Sequence, residues 1–173
     1  LLHPNMLARD EVVRRFEREI RIASSLQHPG LVRILDSDAA GPFPWYAMEL
    51  IHGESLSDRL RKERRLPGPE CARIFHALLS ALAALHTAGL IHRDIKPSNV
   101  MLDSGGRVLL MDLGLVGGAD LTRLTKTGYV IGTPFYLPPE AHDAEFNMPG
   151  DLYQLGLVLH EMMTGDSRVQ IQQ

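Results

Sequence analysis

The chain has 173 residues, 45% of them apolar, which is enough for one domain with a core of its own. Its 18 basic and 21 acidic residues give a net charge of -3, so no excess of positive charge predicts binding to nucleic acid or to an anionic membrane. Cys71 is the only cysteine, which excludes an intrachain disulfide and favours a reducing compartment such as the cytoplasm. No apolar run approaches the roughly 18 residues that cross a bilayer, although an anchor outside this segment stays open.

The first half of the chain predicts a helix, two strands and a second, shorter helix. Apolar residues recur at three- and four-residue spacing over 9–26, the pattern of an amphipathic helix that His28, Pro29 and Gly30 end. Residues 31–35 and 45–50 are β-type runs separated by a turn-rich stretch, and we expect them to be neighbouring strands. A short helix is expected over 55–62, with its basic residues on a solvated face.

The second half predicts a long helix, a hairpin, a long loop and a buried helix. Pro67, Gly68 and Pro69 open an apolar helix over 70–87, which Gly89 ends. Residues 100–102 and 107–111 flank a Ser-Gly-Gly turn and predict a hairpin. The stretch 112–140 is rich in Gly, Thr and Pro, and a loop of that length is usually functional. An almost entirely apolar helix over 152–163 completes an α+β arrangement in two lobes.

Two motifs frame the predicted hairpin. Before it stand His92, Arg93, Asp94, Ile95, Lys96, Pro97, Ser98 and Asn99, and after it stand Asp112, Leu113 and Gly114. Any one of these tripeptides is weak evidence, since Asp in a loop is more often a turn former. Their order and spacing, with the later Gly132-Thr133-Pro134 and Pro138-Pro139-Glu140, resemble the catalytic domain of eukaryotic-type serine/threonine protein kinases, in particular bacterial receptor-type kinases.

The resemblance implies a division of work for phosphoryl transfer from ATP, which needs positioning and charge neutralisation more than covalent help. Asp94 matches the catalytic aspartate that orients the substrate hydroxyl. Asn99 and Asp112 match the oxygen ligands of Mg²⁺. Lys96 matches the lysine that contacts the transferring phosphate and that marks serine/threonine kinases. Leu113 replaces the commoner phenylalanine of the metal-binding motif, a change that we expect to be tolerated.

The resemblance also implies a nucleotide site. Glu19 matches the glutamate that pairs with the ATP-holding lysine, although alone it could be any surface glutamate. Met48 matches the gatekeeper, and the backbone around Glu49 and Ile51 would bind adenine. Met48 and Met101 would line the adenine slot, where the plainer interpretation is that both are core residues.

The long loop matches the activation segment of the family. Thr125 and Thr127 are the expected autophosphorylation sites, and Arg93 would pair with a phosphate on this loop. Thr133 is expected to contact the catalytic loop instead. Asp151 matches the aspartate that anchors the backbone of that loop. Autophosphorylation in trans implies self-association, and the other partners implied are proteins with accessible Ser or Thr.

The resemblance covers about two thirds of a family domain: 1–51 match the rest of the small lobe and the hinge, and 52–173 the first part of the large lobe. The first glycine is Gly30 and the first lysine is Lys62, so the family's glycine-rich strands and essential lysine are not in this sequence. We therefore expect residues 1–173 alone to bind ATP poorly, to be inactive and to aggregate through exposed apolar faces.

Two other functions stay open. A pseudokinase would keep the fold as a binding module without transferring phosphate, and would be indicated by an upstream strand that lacks its lysine. A small-molecule kinase of related fold would share Asp94 and Asn99, but neither the placement of Lys96 nor the segment that ends at Glu140. The histidines outside the catalytic motif show no ligand-like grouping, so no transition-metal site is predicted.

Overall fold

The computed structural model of the chain describes residues 10–38, 41, 44–113, 136, 138 and 147–166. Within these ranges it contains four α-helices, five β-strands and one 3-10 turn. None of the helices in these ranges is both long and apolar enough to span a membrane.

Helix α1 (Asp10–Ser25) confirms the amphipathic helix that the sequence predicts. Phe16, Ile20 and Ala23 are buried at the expected spacing, and the arginines between them face solvent. The Phe16 ring lies 6.5 Å from that of Tyr46, which ties the helix to the strand pair behind it.

Strands β1 (Ile34–Asp38) and β2 (Trp45–Met48) are antiparallel, with an irregularity between Ile34 and Asp36. The sequence places the first strand at 31–35, which is too early. Leu31 instead forms an isolated parallel bridge with Leu110, far along the chain. The apolar run over 31–35 has the sequence pattern of a single strand, but its residues pair in two different sheets. Alternation along the chain cannot show which partner each residue has.

Helix α2 (Leu56–Glu63) and helix α3 (Gly68–Thr87) follow as predicted. Ser55 caps α2, since its hydroxyl accepts the backbone N–H of Asp58 at 3.0 Å. The chain leaves α3 through Gly89, whose φ of +76° suits a residue without a Cβ. Helix α3 buries one face completely: Cys71, Ile74, Leu78, Ala81, Leu82 and Leu85.

A three-stranded antiparallel sheet joins β3 (Gly53–Ser55), β4 (Val100–Asp103) and β5 (Val108–Leu110) in that order. The β4–β5 hairpin is the predicted one. Strand β3 is not predicted, because three residues are too few to show a period. It pairs Ser55 with Met101, which brings the start of α2 beside the hairpin.

Helix α4 (Met148–Thr164) starts earlier than the predicted 152–163, because Asn147 caps it by accepting Gly150 N–H at 3.1 Å. It packs against α3, and its buried residues include two polar ones, Asp151 and Gln154. Fully burying an aliphatic side chain contributes about 1.5–3 kcal/mol, so polar residues at such positions need a reason. Both lie under the 92–99 loop.

Candidate active site

The side chains of Lys96 and Asn99 both contact Asp94 within the connection between α3 and β4. Lys96 Nζ lies 2.7 Å from Asp94 Oδ2. Asn99 Nδ2 donates to the Asp94 carbonyl and to Asp94 Oδ2, both at 2.9 Å. A 3-10 turn over Pro97–Asn99 folds the chain back so that a residue five positions on reaches Asp94. The Asp94 side chain stays 49% exposed, so a substrate can approach it.

Asn99 and Asp112 flank the β4–β5 hairpin at its open end. Met111 N–H donates to the Asn99 carbonyl at 2.8 Å, which extends the hairpin pairing by one step and sets Asp112 next in the chain. Both hydrogen bonds from the Asn99 side chain to Asp94 are donated by Nδ2. The amide oxygen Oδ1 would therefore be the atom that binds a metal ion. Asp112 has a φ of +52°, a left-handed conformation that favours glycine, and such positions cluster at functional sites.

The donor set fits Mg²⁺, which prefers carboxylate and amide oxygens and keeps water or phosphate oxygens in the rest of its shell. Asn99 and Asp112 would supply two protein ligands, which is too few for a metal held by protein alone. In the part of the chain that the structure describes, no three His, Cys, Asp or Glu residues form a metal-binding group.

His92 joins the catalytic loop to the segment that carries Asp112. Its Nε2 lies 2.8 Å from the Met111 carbonyl, and because a carbonyl only accepts, Nε2 carries the proton. The Asp94 N–H then donates to Nδ1 at 3.3 Å. Complete burial lowers the pKa of His92, against the opposing pull of nearby carboxylates, so the ring is a neutral structural link.

Asp151 supports this loop from α4, as the sequence predicts. Its buried carboxylate accepts the N–H of His92 at 2.9 Å and the N–H of Arg93 at 2.7 Å. His86 Nε2 provides a third contact, 2.8 Å from Asp151 Oδ2. The sequence analysis missed His86 as part of the site. Its position in the last turn of α3, six residues before His92, is the only signal in the sequence.

Arg93, a residue of this loop, has a strained backbone conformation, and its side chain contacts α1. Its φ of +68° costs about 1–2 kcal/mol for a residue with a Cβ. Its guanidinium Nη1 lies 3.1 Å from Glu19 Oε1, with side chains only 9% and 14% exposed. Glu19 also pairs with Arg15 at 3.0 Å. In the structure Glu19 therefore forms its ion pair with Arg93. The sequence analysis expects it to pair with the ATP-holding lysine of the family, which is not in this sequence.

The segment 49–51, which the sequence analysis assigns to the hinge, has backbone groups without backbone partners among the described residues. Glu49 N–H donates to the Arg33 carbonyl at 2.9 Å, but Arg33 N–H donates to the Glu49 side chain at 3.0 Å rather than to its carbonyl. Among the described residues, neither the Glu49 carbonyl nor Ile51 N–H has a backbone partner. These are the groups that the sequence analysis assigns to adenine.

A cavity of about 500 Å³ lies beside this hinge, between β3, β4 and the start of α2. Of the two methionines assigned to the adenine slot by the sequence analysis, Met101 lines this cavity, while Met48 ends β2 and does not line it. Glu54 and Lys62, on its rim, pair with each other at 2.6 Å. Hydrogen bonding to Lys62 lowers the pKa of Glu54, so the rim is charged but balanced.

Tyr46 is a second residue that the sequence analysis missed. Burial raises the pKa of its hydroxyl, and the Asp112 carboxylate, which accepts its hydrogen bond, raises it further. Tyr46 therefore donates to a predicted metal ligand from β2. An aromatic residue in a short strand gives no sign of this contact in the sequence, because Asp112 lies far along the chain.

Several predicted residues lie outside the described part: Thr125, Thr127, Thr133, Gly114 and Glu140. Nearby, Tyr136 is described and buried, and its hydroxyl donates to Glu161 of α4. Burial, followed by this bond to a carboxylate, raises the pKa of Tyr136. Helix α4 thus contacts the end of the predicted activation segment as well as the catalytic loop.

Comparisons with known proteins agree with this geometry. A family profile described as protein kinase domain matches residues 5–173. Serine/threonine-protein kinase PknL of Mycobacterium tuberculosis is 35% identical over 157 residues, covering 90% of this chain and 39% of that protein. PknB of Mycobacterium leprae is 38% identical over 167 residues, covering 92% of this chain and 27% of that protein. PrkC of Bacillus subtilis is 36% identical over 157 residues, covering 90% of this chain and 24% of that protein.

A solved structure gives the same result for the fold. The crystal structure of the Mycobacterium tuberculosis PknI kinase domain superposes with a TM-score of 0.77 at 31% sequence identity, covering 99% of this chain and 65% of that one. The predicted α+β, kinase-like fold is thereby confirmed. The chain spans less than half the length of the curated relatives above.

Proposed function

Because this chain belongs to the protein kinase family, we propose that the whole protein transfers the γ-phosphate of ATP to serine or threonine hydroxyls of protein substrates. The single observation that supports this most is the approach of Lys96 Nζ and Asn99 Nδ2 to Asp94 Oδ2, at 2.7 Å and 2.9 Å. The serine/threonine-protein kinases of similar sequence support the substrate class.

In the proposed reaction, Asp94 accepts a hydrogen bond from the substrate hydroxyl and aims its oxygen at the γ-phosphorus. The bond from that oxygen to phosphorus forms as the bond from phosphorus to the β,γ-bridging oxygen breaks, which leaves ADP, and the hydroxyl proton passes to Asp94 and then to solvent. Lys96 neutralises charge on the transferring group. Asn99 and Asp112 would hold Mg²⁺, which supplies charge neutralisation at the phosphates when it is bound.

Nucleotide recognition is proposed for the hinge and the cavity beside it. The open Glu49 carbonyl and Ile51 N–H would bond adenine, and Met101 would pack on its face. Residues 52–173 would then form the first part of the large lobe, and 1–51 the rest of the small lobe and the hinge. A reducing cytoplasmic setting suits the single thiol of Cys71, which is free and buried.

Regulation by phosphorylation of the 112–140 loop is proposed as well, with Thr125 and Thr127 as sites of autophosphorylation between two copies and Thr133 as a contact to the catalytic loop. Because Glu19 already forms an ion pair with Arg93, a phosphate on this loop would have to displace the Glu19 carboxylate from the Arg93 guanidinium. A phosphate carries nearly two negative charges against one on Glu19, so it can compete for the guanidinium. Release of Glu19 would leave it available to a lysine upstream.

The test is Mg²⁺-dependent transfer of labelled phosphate from ATP by the protein expressed with all flanking coding sequence. We expect label on the protein itself, at Thr125 or Thr127, and on a generic basic substrate. Asp94→Asn should lower the rate by roughly 10²–10⁴-fold, since it removes the acceptor for the hydroxyl proton. Asp103→Asn, which alters a carboxylate of the β4–β5 turn, is the matched control and should transfer phosphate normally.

The competing functions give other results. A folded protein that binds ATP but transfers no label would be a pseudokinase. Transfer to aminoglycosides or choline in preference to protein would indicate a small-molecule kinase. The isolated 1–173 segment should bind ATP weakly and transfer nothing, and a sharp cooperative melt of that segment would contradict our expectation that it aggregates.

A further inference from the structure

Gln154 is a buried amide of α4 that bonds to the catalytic loop on both sides of Asp94. It is 2% exposed and lies one helical turn after Asp151. Its Oε1 accepts Ile95 N–H at 2.8 Å, and its Nε2 donates to the Arg93 carbonyl at 3.4 Å. We propose that Gln154 is a positioning residue that fixes the orientation of Asp94 for phosphoryl transfer, an inference that rests on the proposed function.

The two bonds reach the two peptide groups that flank Asp94. The Arg93 carbonyl belongs to the peptide before the Asp94 Cα, and Ile95 N–H belongs to the peptide after it. When both peptide planes are fixed, the backbone dihedrals of Asp94 are fixed, and with them the direction of its Cβ. One side chain therefore restrains both peptides and the direction of the Asp94 Cβ without a hydrogen bond to Asp94 itself, and the bond from Asp94 N–H to His92 Nδ1 at 3.3 Å adds to this restraint on one side only.

Arg93 shows why the loop needs this restraint. Its left-handed φ of +68° is unfavourable for a residue with a Cβ, so the conformation persists only where surrounding bonds impose it. Asp151 holds its N–H at 2.7 Å and Gln154 holds its carbonyl. Without the second bond, the peptide between Arg93 and Asp94 could rotate toward a relaxed geometry and carry Asp94 with it.

The bonds of the Asp94 side chain cannot replace this restraint. Its partners Lys96 and Asn99 are the residues proposed to contact phosphate and Mg²⁺, so those bonds change during the reaction. The Gln154 bonds lie beneath the loop and can persist throughout. An amide suits the position because it donates on one side and accepts on the other, which neither a carboxylate nor an aliphatic side chain does.

The experiment compares Gln154→Met with the wild-type protein, each expressed with all flanking coding sequence. Methionine keeps the volume and removes both hydrogen bonds. If Gln154 positions Asp94, kcat should fall roughly 10-fold to 100-fold while KM for ATP stays within about 2-fold, because the nucleotide is held elsewhere. The amide of Ile95 should also exchange with solvent faster than in the wild-type protein.

Met162→Leu is the control, because it also conserves side-chain volume at a buried position of α4, near Leu66 and away from the loop. This variant should keep the wild-type kcat and KM for ATP. A Gln154→Met protein with wild-type kcat would reduce Gln154 to a packing role and overturn the inference. Should Gln154→Met not fold, Gln154→Asn takes its place: it keeps a buried amide but is one methylene shorter, so it cannot hold both peptide groups, and a wild-type kcat there overturns the inference equally.

The two proposals fail differently. A wild-type protein that transfers no phosphate overturns the proposed function and this inference together. A wild-type protein that transfers phosphate, alongside a Gln154→Met protein that does so equally well, overturns only the role of Gln154.

Discussion

The predicted catalytic loop over 92–99 and the predicted hinge over 49–51 differ in how their backbone groups are hydrogen-bonded. The backbone of the loop is bonded to buried side chains of α4 at three amides, those of His92, Arg93 and Ile95. The hinge leaves its Glu49 carbonyl and Ile51 N–H without backbone partners among the described residues, and Leu50 between them is 80% exposed.

The difference follows from what each segment offers a ligand. In the proposed mechanism the side chain of Asp94 contacts the substrate, so the backbone of the loop can be fully hydrogen-bonded. In the hinge the backbone itself is the proposed binding group, so its polar atoms have to stay free. We therefore expect changes under the loop to lower kcat and stability, and changes in the hinge to raise KM for ATP with little effect on kcat.

The largest expected effect is that of Asp151→Asn. Three donors converge on the Asp151 carboxylate, and an amide cannot accept from all of them. We expect a loss of about 2–3 kcal/mol in the free energy of unfolding, because bonds to a buried charge are lost. The loop should shift as well, lowering kcat by about 100-fold. Urea unfolding and steady-state kinetics measure the two effects.

Asp36→Asn is the matched control for Asp151→Asn. Asp36 is an exposed residue of β1, away from the catalytic loop and the cavity, and its Oδ1 accepts the N–H of the next residue, Ser37, at 2.8 Å. Neither stability nor kcat should change appreciably in this variant. If the two variants behaved alike, the loop would not depend on its support from α4.

Stability should also depend on pH through His92. Burial lowers its pKa in the folded protein, although Asp151, Asp94 and Asp112 partly offset the shift. The His92 imidazole of the unfolded chain, whose pKa is about 6.5, therefore binds a proton more readily than that of the folded chain. The contribution of His92 to the free energy of unfolding is complete above that pH. It is lost as the pH falls below that value, with a slope of at most ~1.4 kcal/mol per pH unit.

His92→Phe separates this titration from others. It removes the bond to the Met111 carbonyl, so the variant should be less stable than the wild-type protein at pH 7.5. The difference in the free energy of unfolding between the two proteins should become smaller as pH falls toward 5, because only the wild-type protein has a buried imidazole to protonate. Urea unfolding at each pH measures this difference. Changing the exposed His76 to Gln should leave the wild-type dependence intact, and a constant difference for His92→Phe would contradict the assignment.

At the hinge, Ile51→Pro removes one backbone N–H and should raise KM for ATP about 5-fold to 10-fold, the equivalent of one hydrogen bond of about 1 kcal/mol. Because the loop is untouched, kcat should stay near the wild-type value. Ile51→Val keeps the N–H and is the control. An unchanged KM in the proline variant would show that the adenine site does not use this amide.

Much of the candidate site could be predicted because its residues are close in sequence. Asp94 and Asn99 are five positions apart, and one hairpin returns the chain to Asp112. His86 and Gln154 could not be assigned in this way. Each acts on a partner about 60 residues distant, at separations of 65 and 59 positions. A polar residue on an apolar helix signals that something must bond to it, but not what.

The fold shows the same limit at β1 and β3. Alternation and turn residues predict the β4–β5 hairpin, whose partners are local. They misplace β1, because residue 31 bridges to Leu110 rather than to β2. Strand β3 exists through its pairing with β4 and has no pattern of its own. Sequence patterns therefore predict the elements well where their partners are near, and poorly where the partners are distant.

The smallest expected effect is that of His86→Phe, which tests the support of the loop at its edge. His86 gives Asp151 one of three contacts, and its side chain is 15% exposed, so water can replace part of the lost bond. We expect about 0.5–1 kcal/mol of destabilisation. The fall in kcat should be smaller than that for Asp151→Asn, since the backbone bonds of His92 and Arg93 persist. In a double variant with Asp151→Asn, the effect of His86→Phe should largely disappear, because its partner is already changed. Full additivity of the two substitutions would show that His86 acts on the fold by packing and not through Asp151.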